Sequence, residues 1–318
     1  MLAAGARAGG RAGGRTGGRA WAAHSRVVSP PGADATYDQA TMLRMAHGLL
    51  AQTRGRLAAI GVSFGGPVDA RKGLVRLSHH VPGWQDVPLA ALLAEEFAAP
   101  AAVDNDANVA ALGEWRYGAG QGCDSVLYVT VSTGIGGGWV LDGRIWSGAD
   151  GMAGELGHVV VRPGGTPCVC GKRGCVEAEA CGPAMARKAA ARLRESPHAG
   201  PILLDLAGSR PDAVTGEMVA RAAQAGDPLA LDVLMEGAAA LGSGLAAAIN
   251  LVNPAVVVLG GGVTKAGEAW WQQVRQTARA EALPQARAEI VPAGLGDDAP
   301  LWGAAALAEG LLPAQGKE

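Results

Sequence analysis

Apolar strands that end in glycine-rich or acidic turns alternate with helical segments along most of this chain, and this pattern constrains its fold more than any other feature. Three stretches show it: "AAVDNDANVAALGEW" from position 101, "SVLYVTVSTGIGGGWVLDGRIW" from 125 and "PAVVVLGGGVTKAG" from 254. In each stretch a run of aliphatic residues stops at a turn. Strands that alternate with helices predict an α/β fold, in which ligands bind outside the ends of the strands.

The rest of the chain adds helices to this pattern. Apolar residues at helical spacing predict a helix within 35–55, and residues 183–250 read as mostly helical with a looser stretch at 197–214. The stretch from 125 to 146 predicts a β-hairpin around a glycine turn. The boundary between two domains is expected near 118–124. We therefore predict an N-terminal α/β domain over 21–118, joined by a C-terminal helix at 301–313, and a C-terminal α/β domain over 119–300.

Composition limits the class of protein. With 318 residues and 49% hydrophobic content, the chain can build two sizeable cores, and its net charge of -2 gives no general attraction to nucleic acid or acidic membranes. We find no apolar run typical of a membrane span and no secretory signal. Its five clustered cysteines do not resemble a secreted disulfide framework. A cytoplasmic protein with no nucleic-acid or membrane partner is expected.

The first twenty residues, "MLAAGARAGGRAGGRTGGRA", repeat Arg-x-Gly-Gly and contain no aliphatic core residue after Leu2. Such a segment buries too little surface to order itself, so 1–20 is predicted to be disordered. A basic tail that binds RNA is the alternative.

A histidine and three cysteines have the spacing of a metal site. His158, Cys168, Cys170 and Cys175 follow the pattern H-x9-C-x-C-x4-C. Four such ligands suit tetrahedral Zn²⁺, and a site closed by four protein ligands is structural. The alternatives are three buried cysteines without metal, or a disulfide.

Two carboxylates bracket these ligands. Folding the segment around one metal would bring Glu155, Glu177 and the second ring nitrogen of His158 toward a common point. Carboxylates beside an imidazole are good partners for sugar hydroxyls, which both donate and accept hydrogen bonds. The alternative is that both glutamates are solvated loop charges.

Three turns carry further candidate residues. In "VSTGIGGGW", Ser132, Thr133 and the glycines leave backbone N–H groups that can face a phosphate, although most such turns serve only as turns. In "VDNDAN", a carboxylate at the strand-to-helix switch can act as a general base, and an Asn-Asp pair there can equally cap the helix. In "LGGGV", at 259–263, adenine or ribose could approach closely.

In this order, "VDNDAN", "STGIGGG", "GELGH", "CVCGKRGCVE" and "VVVLGGGV" resemble the ROK family (repressors, open reading frames, kinases), and within it the bacterial glucokinases. The resemblance covers about 57–312. It implies the actin-like, hexokinase-type (ribonuclease H-like) fold, in which two α/β domains flank a cleft. It also implies transfer of phosphate from ATP with Mg²⁺ to a hexose, most simply glucose to glucose 6-phosphate, by a homodimer or homotetramer.

The resemblance also assigns roles by position. Asp106 would be the catalytic base and would contact the sugar, and His158, Cys168, Cys170 and Cys175 would bind zinc. The remaining sugar contacts would be Asn105, Glu155, His158 and Glu177. The phosphates and the nucleoside would be held by Thr133, Gly134, Gly136, Gly137, Gly260, Gly261 and Gly262.

One family motif is missing. Family kinases begin with a strand that ends in Asp-x-Gly-Gly-Thr, which embraces the phosphates and helps to place Mg²⁺, but no aspartate precedes Asp34 here. Trp139 is also bulkier than the aliphatic residue expected after the glycines. Either the chain starts in the wrong place or frame, or it is a degenerate member that binds sugar without kinase activity. A sugar-responsive transcriptional regulator is a further alternative, but 1–56 shows only one convincing helix.

Overall fold

The structure, a computed structural model, describes residues 2–8, 19–53, 56–78 and 80–313, and it describes side chains from Trp21 onward. The strands within these residues are β1 Leu2–Ala8, β2 Arg19–Ser25, β3 Ile60–Phe64, β4 Val68–Asp69, β5 Leu74–Val75, β6 Ala101–Asn105, β7 Ser125–Val131, β8 Ile135–Leu141, β9 Arg144–Ile145, β10 Val256–Gly260 and β11 Glu289–Pro292.

The helices of the same residues include those that the sequence predicts within 35–55, 183–250 and 301–313, whereas the helix at Glu268–Glu281 is not among the predicted ones. They are α1 Ala35–Thr53, α2 Leu89–Phe97, α3 Asp106–Tyr117, α4 Val176–Ala180, α5 Gly182–Glu195, α6 Pro201–Leu206, α7 Gly216–Gln224, α8 Pro228–Val252, α9 Glu268–Glu281 and α10 Ala299–Glu309. The looser stretch expected at 197–214 contains only α6 and two short 3₁₀ turns. The alternation of strands and helices is therefore confirmed.

Within the described residues, strand pairing forms one larger sheet and three small ones. The larger sheet has the order β11-β10-β7-β8-β9, with β10 parallel to both β11 and β7. Strands β3 and β6 pair in parallel, β4 and β5 pair antiparallel, and β1 and β2 pair antiparallel. Parallel pairs place the carboxyl ends of neighbouring strands, and the turns that follow them, at one edge of the sheet.

The chain divides into two compact units. The first contains the described residues within 1–122, 139–153 and 297–318, and the second contains 123–138 and 154–296. The chain first leaves the first unit between Gly122 and Cys123, then returns to it for 139–153. The division into domains at 21–118 and 119–300 stays a prediction.

In the first unit, aliphatic side chains from strands and helices pack around Trp84. Val75, Leu89, Leu93 and Val103 are all at most 3% exposed in this core. Helix α10 packs closely on α3, where a Cβ at Gly303 would lie 1.7 Å from a backbone oxygen of α3. Only glycine allows that approach, so α10 is held against α3 within the first unit.

The prediction of disorder over 1–20 is wrong for Leu2–Ala8 and for Arg19–Ala20, which belong to the paired strands β1 and β2. That prediction considered composition alone. The backbone N–H and C=O groups of two strands, however, form hydrogen bonds with each other without help from apolar side chains. Trp21 on β2 adds an anchor, since its ring lies 4.3 Å from that of Trp302. The remainder of the repeat, 9–18, lies outside the described residues.

In the second unit, one long helix provides much of the core. Helix α8 is the one described helix that is long and apolar enough to cross a membrane by length and composition. Two thirds of its most apolar window, 67%, is buried inside the protein. The apolar sequence of α8 is therefore that of a core helix, because most of this window is buried against neighbouring elements.

Candidate functional site

The strand-to-helix switch predicted in "VDNDAN" lies between Asn105, the last residue of β6, and Asp106, the first of α3. The side-chain Oδ1 of Asn105 accepts a hydrogen bond from the N–H of Ala107 at 3.0 Å, and its Nδ2 donates to the carbonyl of Gly66 at 3.1 Å. Asn105 therefore caps α3, as the capping alternative proposed, and also ties the helix start to the turn after β3.

The Asp106 carboxylate is held at the start of α3 by one oxygen. Its Oδ1 accepts the N–H of Ala107 at 2.9 Å, while its Oδ2 faces Gly65, 3.8 Å from where a Cβ would stand. Burial raises the pKa of Asp106, and the hydrogen bonds to its carboxylate only partly offset that effect. A carboxylate whose pKa moves toward neutrality is better matched to general-base catalysis.

A second carboxylate, to which the sequence analysis gave no role, supports this turn from inside. Asp104 is 6% exposed, and its Oδ1 accepts the N–H of Asn105 at 2.7 Å and the Nδ2 of Asn108 at 3.1 Å. Burial raises the pKa of Asp104 as well. A charged residue inside an otherwise apolar strand was the signal that could have pointed to it.

The four predicted metal ligands lie together in the second unit. All four ligand atoms lie within 4.8 Å of one another. Zn–S bonds of about 2.3 Å at tetrahedral angles place two sulfurs about 3.8 Å apart. The Sγ atoms of Cys170 and Cys175 are 3.7 Å apart, and Sγ of Cys168 lies 3.6 Å from Nδ1 of His158. The separations therefore fit a tetrahedral zinc ion bound through Nδ1.

Backbone contacts hold the loop that carries these ligands. The N–H of Cys168 donates to the carbonyl of Lys172, and Nζ of Lys172 donates to the carbonyl of His158 at 2.8 Å. Gly174 has φ +73°, and a Cβ there would lie 1.6 Å from the carbonyl oxygen of Arg162. A glycine is required at that position to bring Cys175 back beside the other ligands.

The thiols differ in their ionisation. Burial, together with the neighbouring thiols of Cys170 and Cys168, raises the pKa of Cys175 to about 12. The backbone N–H of Lys172 lowers the pKa of the exposed Cys170 thiol. At neutral pH, Cys175 would keep its proton unless a cation took its place, as Zn²⁺ does when it binds a thiolate.

The predicted sugar contacts of the second unit lie next to this centre. Nε2 of His158, the ring nitrogen left free if Nδ1 binds the metal, is 4.0 Å from Oε2 of Glu155. The half-buried carboxylate of Glu177 accepts the backbone N–H of Ile135 at 3.0 Å. Glu177 is therefore not a solvated loop charge, and its hydrogen bond joins α4 to the glycine turn of the hairpin.

The two glycine turns follow neighbouring strands. In the parallel pairing of β7 with β10, Gly260 is opposite Thr130, so both turns leave the sheet at one edge. A Cβ at Gly261 would lie 2.5 Å from the carbonyl of Val131, and one at Gly134 would lie 2.8 Å from Oε2 of Glu177. Thr133 is exposed at the tip of the first turn. The glycines thus pack the two turns and α4 closely together.

The structure brings most of the predicted site residues together in the second unit: Glu155, His158, Glu177, the metal ligands and both glycine turns. Asn105 and Asp106 belong to the first unit. Sequence reasoning missed Glu179, which is 1% exposed on α4 and bonds to the loop of the metal centre.

Comparison with known proteins adds an independent finding. The sequence profile of the ROK family matches residues 31–310. A glucokinase of Halalkalibacterium halodurans is 41% identical over 249 residues, which cover 77% of this chain and 74% of that protein. A xylose repressor of Caldicellulosiruptor bescii is 29% identical and is covered over 55% of its length.

Solved structures give the same relation. The ROK hexokinase from Thermus thermophilus matches with a TM-score of 0.77 and 38% identity, over 89% of each chain. A ROK family glucokinase from Streptomyces griseus, solved in complex with glucose and AMPPNP, matches with a TM-score of 0.74 and 34% identity, over 89% of this chain and 90% of that one.

Proposed function

This chain belongs to the ROK family and has its actin-like, hexokinase-type fold, and from that premise we propose that it transfers phosphate from ATP to a hexose, with glucose as the preferred acceptor. The observation that carries the proposal is the 41% identity to a glucokinase over most of both chains, combined with a buried carboxylate, Asp106, at the strand-to-helix switch.

In the proposed reaction, Asp106 takes the proton from the sugar hydroxyl as that oxygen attacks the γ-phosphorus of ATP. The bond between the γ-phosphorus and the bridging oxygen breaks, and ADP leaves with that oxygen. Phosphoryl transfer needs little covalent work from the protein, because positioning and charge stabilisation lower most of the barrier. A base that removes the proton typically contributes about 10²–10⁴-fold.

The other assigned residues position the two substrates. Asn105, Glu155, His158 and Glu177 hold the sugar, whose hydroxyls need partners that both donate and accept. The N–H groups of the turn at Thr133, Gly134, Gly136 and Gly137 hold phosphate oxygens, and Gly260, Gly261 and Gly262 let the nucleoside approach the backbone. The Ile135 N–H that donates to Glu177 connects the sugar side to the phosphate side.

We propose zinc as the resident metal of the His158, Cys168, Cys170 and Cys175 centre, because four soft or borderline ligands at tetrahedral spacing suit it. Zinc would supply structural stabilisation there, with no open position for a substrate. A cytoplasmic location, a place in the breakdown of hexoses and a homodimer or homotetramer are proposed from the family resemblance.

The proposal is tested by measuring ADP formation from Mg-ATP with glucose, mannose, fructose, N-acetylglucosamine and N-acetylmannosamine as acceptors. We expect hexose-dependent ADP formation that is fastest with glucose. If no sugar increases ADP formation, either in this chain or in one whose first twenty residues are exchanged for a family strand with Asp-x-Gly-Gly-Thr, the proposal is wrong.

The absent Asp-x-Gly-Gly-Thr motif favours one second candidate, a protein that binds sugar without phosphorylating it. Under this alternative, calorimetry would show that glucose binds with ordinary affinity. The chain whose first twenty residues are exchanged would still form no ADP.

A further inference from the structure

A buried carboxylate outside the residues assigned to sugar, phosphate or metal joins the loop of the metal centre to neighbouring helices. We name residues 159–175 the metal loop, since it carries three of the four proposed ligands. Glu179 lies on α4, two residues after Glu177, and is 1% exposed. A carboxylate this deeply buried needs hydrogen-bond partners, because burial of an unpaired charge is costly.

The metal loop provides partners for both oxygens of Glu179. Its Oε1 accepts the backbone N–H of Thr166 at 2.8 Å, and a Cβ at Gly165 would lie only 2.6 Å from the same oxygen. Its Oε2 accepts from Nη1 of Arg162 at 3.2 Å and from Nζ of Lys188 at 3.1 Å. Glu179 therefore binds the metal loop at two points, Arg162 and Thr166, and links it to α5 through Lys188.

The charges around Glu179 keep it ionised. Burial alone would raise the pKa of Glu179, but the N–H of Thr166 and the Lys188 ammonium outweigh burial and hold this pKa below its ordinary value. Lys188 also bonds at 3.1 Å to Glu236 on α8, which in turn pairs with Arg192. Opposite charges are thus paired within one network that spans the loop, α4, α5 and α8.

Helix α4 depends on such contacts for its placement. It has five residues, too few to be stable by helix propensity, and it begins directly after the ligand Cys175. Residues two apart on a helix lie about 200° apart around its axis, so Glu177 and Glu179 point to opposite sides. Glu177 bonds to Ile135 of the glycine turn on one side, and Glu179 bonds to the metal loop on the other.

We propose that Glu179 is a positioning residue that holds the metal loop against α4 independently of the metal, and thereby places Glu177 and His158 for the sugar. The first half of the proposal, that Glu179 holds the metal loop, needs only the contacts above. The second half, that Glu179 thereby places Glu177 and His158 for the sugar, rests on the proposed function.

The first half is tested by trypsin cleavage of the full chain after its metal is removed with a chelator. Lys172 and Arg173 are exposed on the metal loop, and cleavage after them reports local opening. Glu179→Gln keeps the size of the side chain and an acceptor for Thr166 but loses the charge. We expect cleavage at these two sites to become about tenfold faster.

The matched control is Glu236→Gln, which removes the other carboxylate on Lys188 and a longer 4.0 Å ion pair to Arg162, and leaves every Glu179 contact in place. We expect its cleavage rate to stay within about threefold of wild type. Wild-type cleavage in Glu179→Gln, or equal acceleration in both variants, would overturn the proposal. If Glu179→Gln does not fold, Lys188→Gln serves instead: a rise of more than about threefold supports the proposal, and a smaller rise or none overturns it.

The second half is tested by calorimetry with glucose and by kinetics with Mg-ATP on the metal-loaded protein. Glu179→Gln should weaken glucose binding about tenfold and change the KM for Mg-ATP less than about threefold, since only the sugar side is displaced. Unchanged glucose affinity in a variant with an opened loop would overturn the positioning role. A wild-type protein that binds no glucose would contradict the proposed function, and the cleavage rates would still decide the first half.

Discussion

Among single residues, Asp106 is central to the proposed reaction: its carboxylate starts α3, and burial raises its pKa. Asp106→Asn keeps the shape of the side chain but cannot accept a proton. We expect turnover to fall about 10²–10⁴-fold while the dissociation constant for glucose, measured by calorimetry, stays within about threefold of wild type. Turnover within a factor of about three of wild type would reject Asp106 as the base.

The raised pKa of Asp106 gives a separate prediction for pH dependence. The base works only when deprotonated, so activity should fall as pH drops through its pKa. Because burial raises this pKa, the acid limb of kcat/KM should lie above the ordinary Asp value of about 3.9.

Asp104, whose pKa is also raised, provides the control for this profile. Asp104→Asn should keep the acid limb, because the remaining base is unchanged. A limb at or below about 3.9 in wild type, or one that disappears with Asp104→Asn, would contradict the assignment of this titration to Asp106.

Individual residues also show where sequence reasoning succeeds and fails. The switch at Asn105–Asp106 could be predicted because an apolar strand ends there at a residue with capping chemistry. Glu179 could not, because its burial depends on Arg162 and Lys188, which lie 17 and 9 residues away in the chain. The local sequence pattern around a charged residue on a short helix does not show which distant residues will pair with it.

At the scale of elements, the metal loop and α4 form the part whose local structure the proposed zinc would stabilise. Structural zinc contributes apparent binding free energies of about 10–16 kcal/mol in small sites. We therefore expect about one zinc per chain, and Cys170→Ala should lower both the zinc content and the melting temperature. Metal analysis of the purified protein, with a thermal melt of each variant, measures this.

Cys123→Ala is the control for that experiment, because Cys123 lies outside the metal cluster. It should leave the zinc content unchanged. Less than about half an equivalent of zinc in carefully purified wild type would contradict the zinc proposal.

Elements near the start of the chain show a different limit of sequence reasoning. Composition predicted disorder over 1–20, yet β1 and β2 pair through their backbones. Arginine and glycine offer no apolar alternation, so a rule based on side chains has no signal there. In contrast, the aliphatic runs predict β7 and β10, and all residues of these two strands are buried except the half-buried Ser125 and Thr130.

At the scale of the whole molecule, the family fold and the sequence disagree at one place. The strands β1 and β2 are present, but "MLAAGARAGGRAGGRTGGRA" has no Asp-x-Gly-Gly-Thr. Without that turn, the glycine turn after β7 would hold the phosphates alone. The proposed sugar contacts belong to other segments, so we expect calorimetry to show that glucose binds measurably and more tightly than Mg-ATP.

The proposed kinase reaction is tested by measuring glucose 6-phosphate formation from Mg-ATP by three proteins. They are the chain itself, the chain whose residues 1–20 are exchanged for a family strand with Asp-x-Gly-Gly-Thr, and that exchanged chain with Asp106→Asn. We expect the exchange to raise the rate at least about 100-fold and Asp106→Asn to remove the gain. An exchanged chain that forms no glucose 6-phosphate would contradict the proposed kinase reaction, and one that keeps its rate with Asp106→Asn would contradict the role of Asp106 as its base.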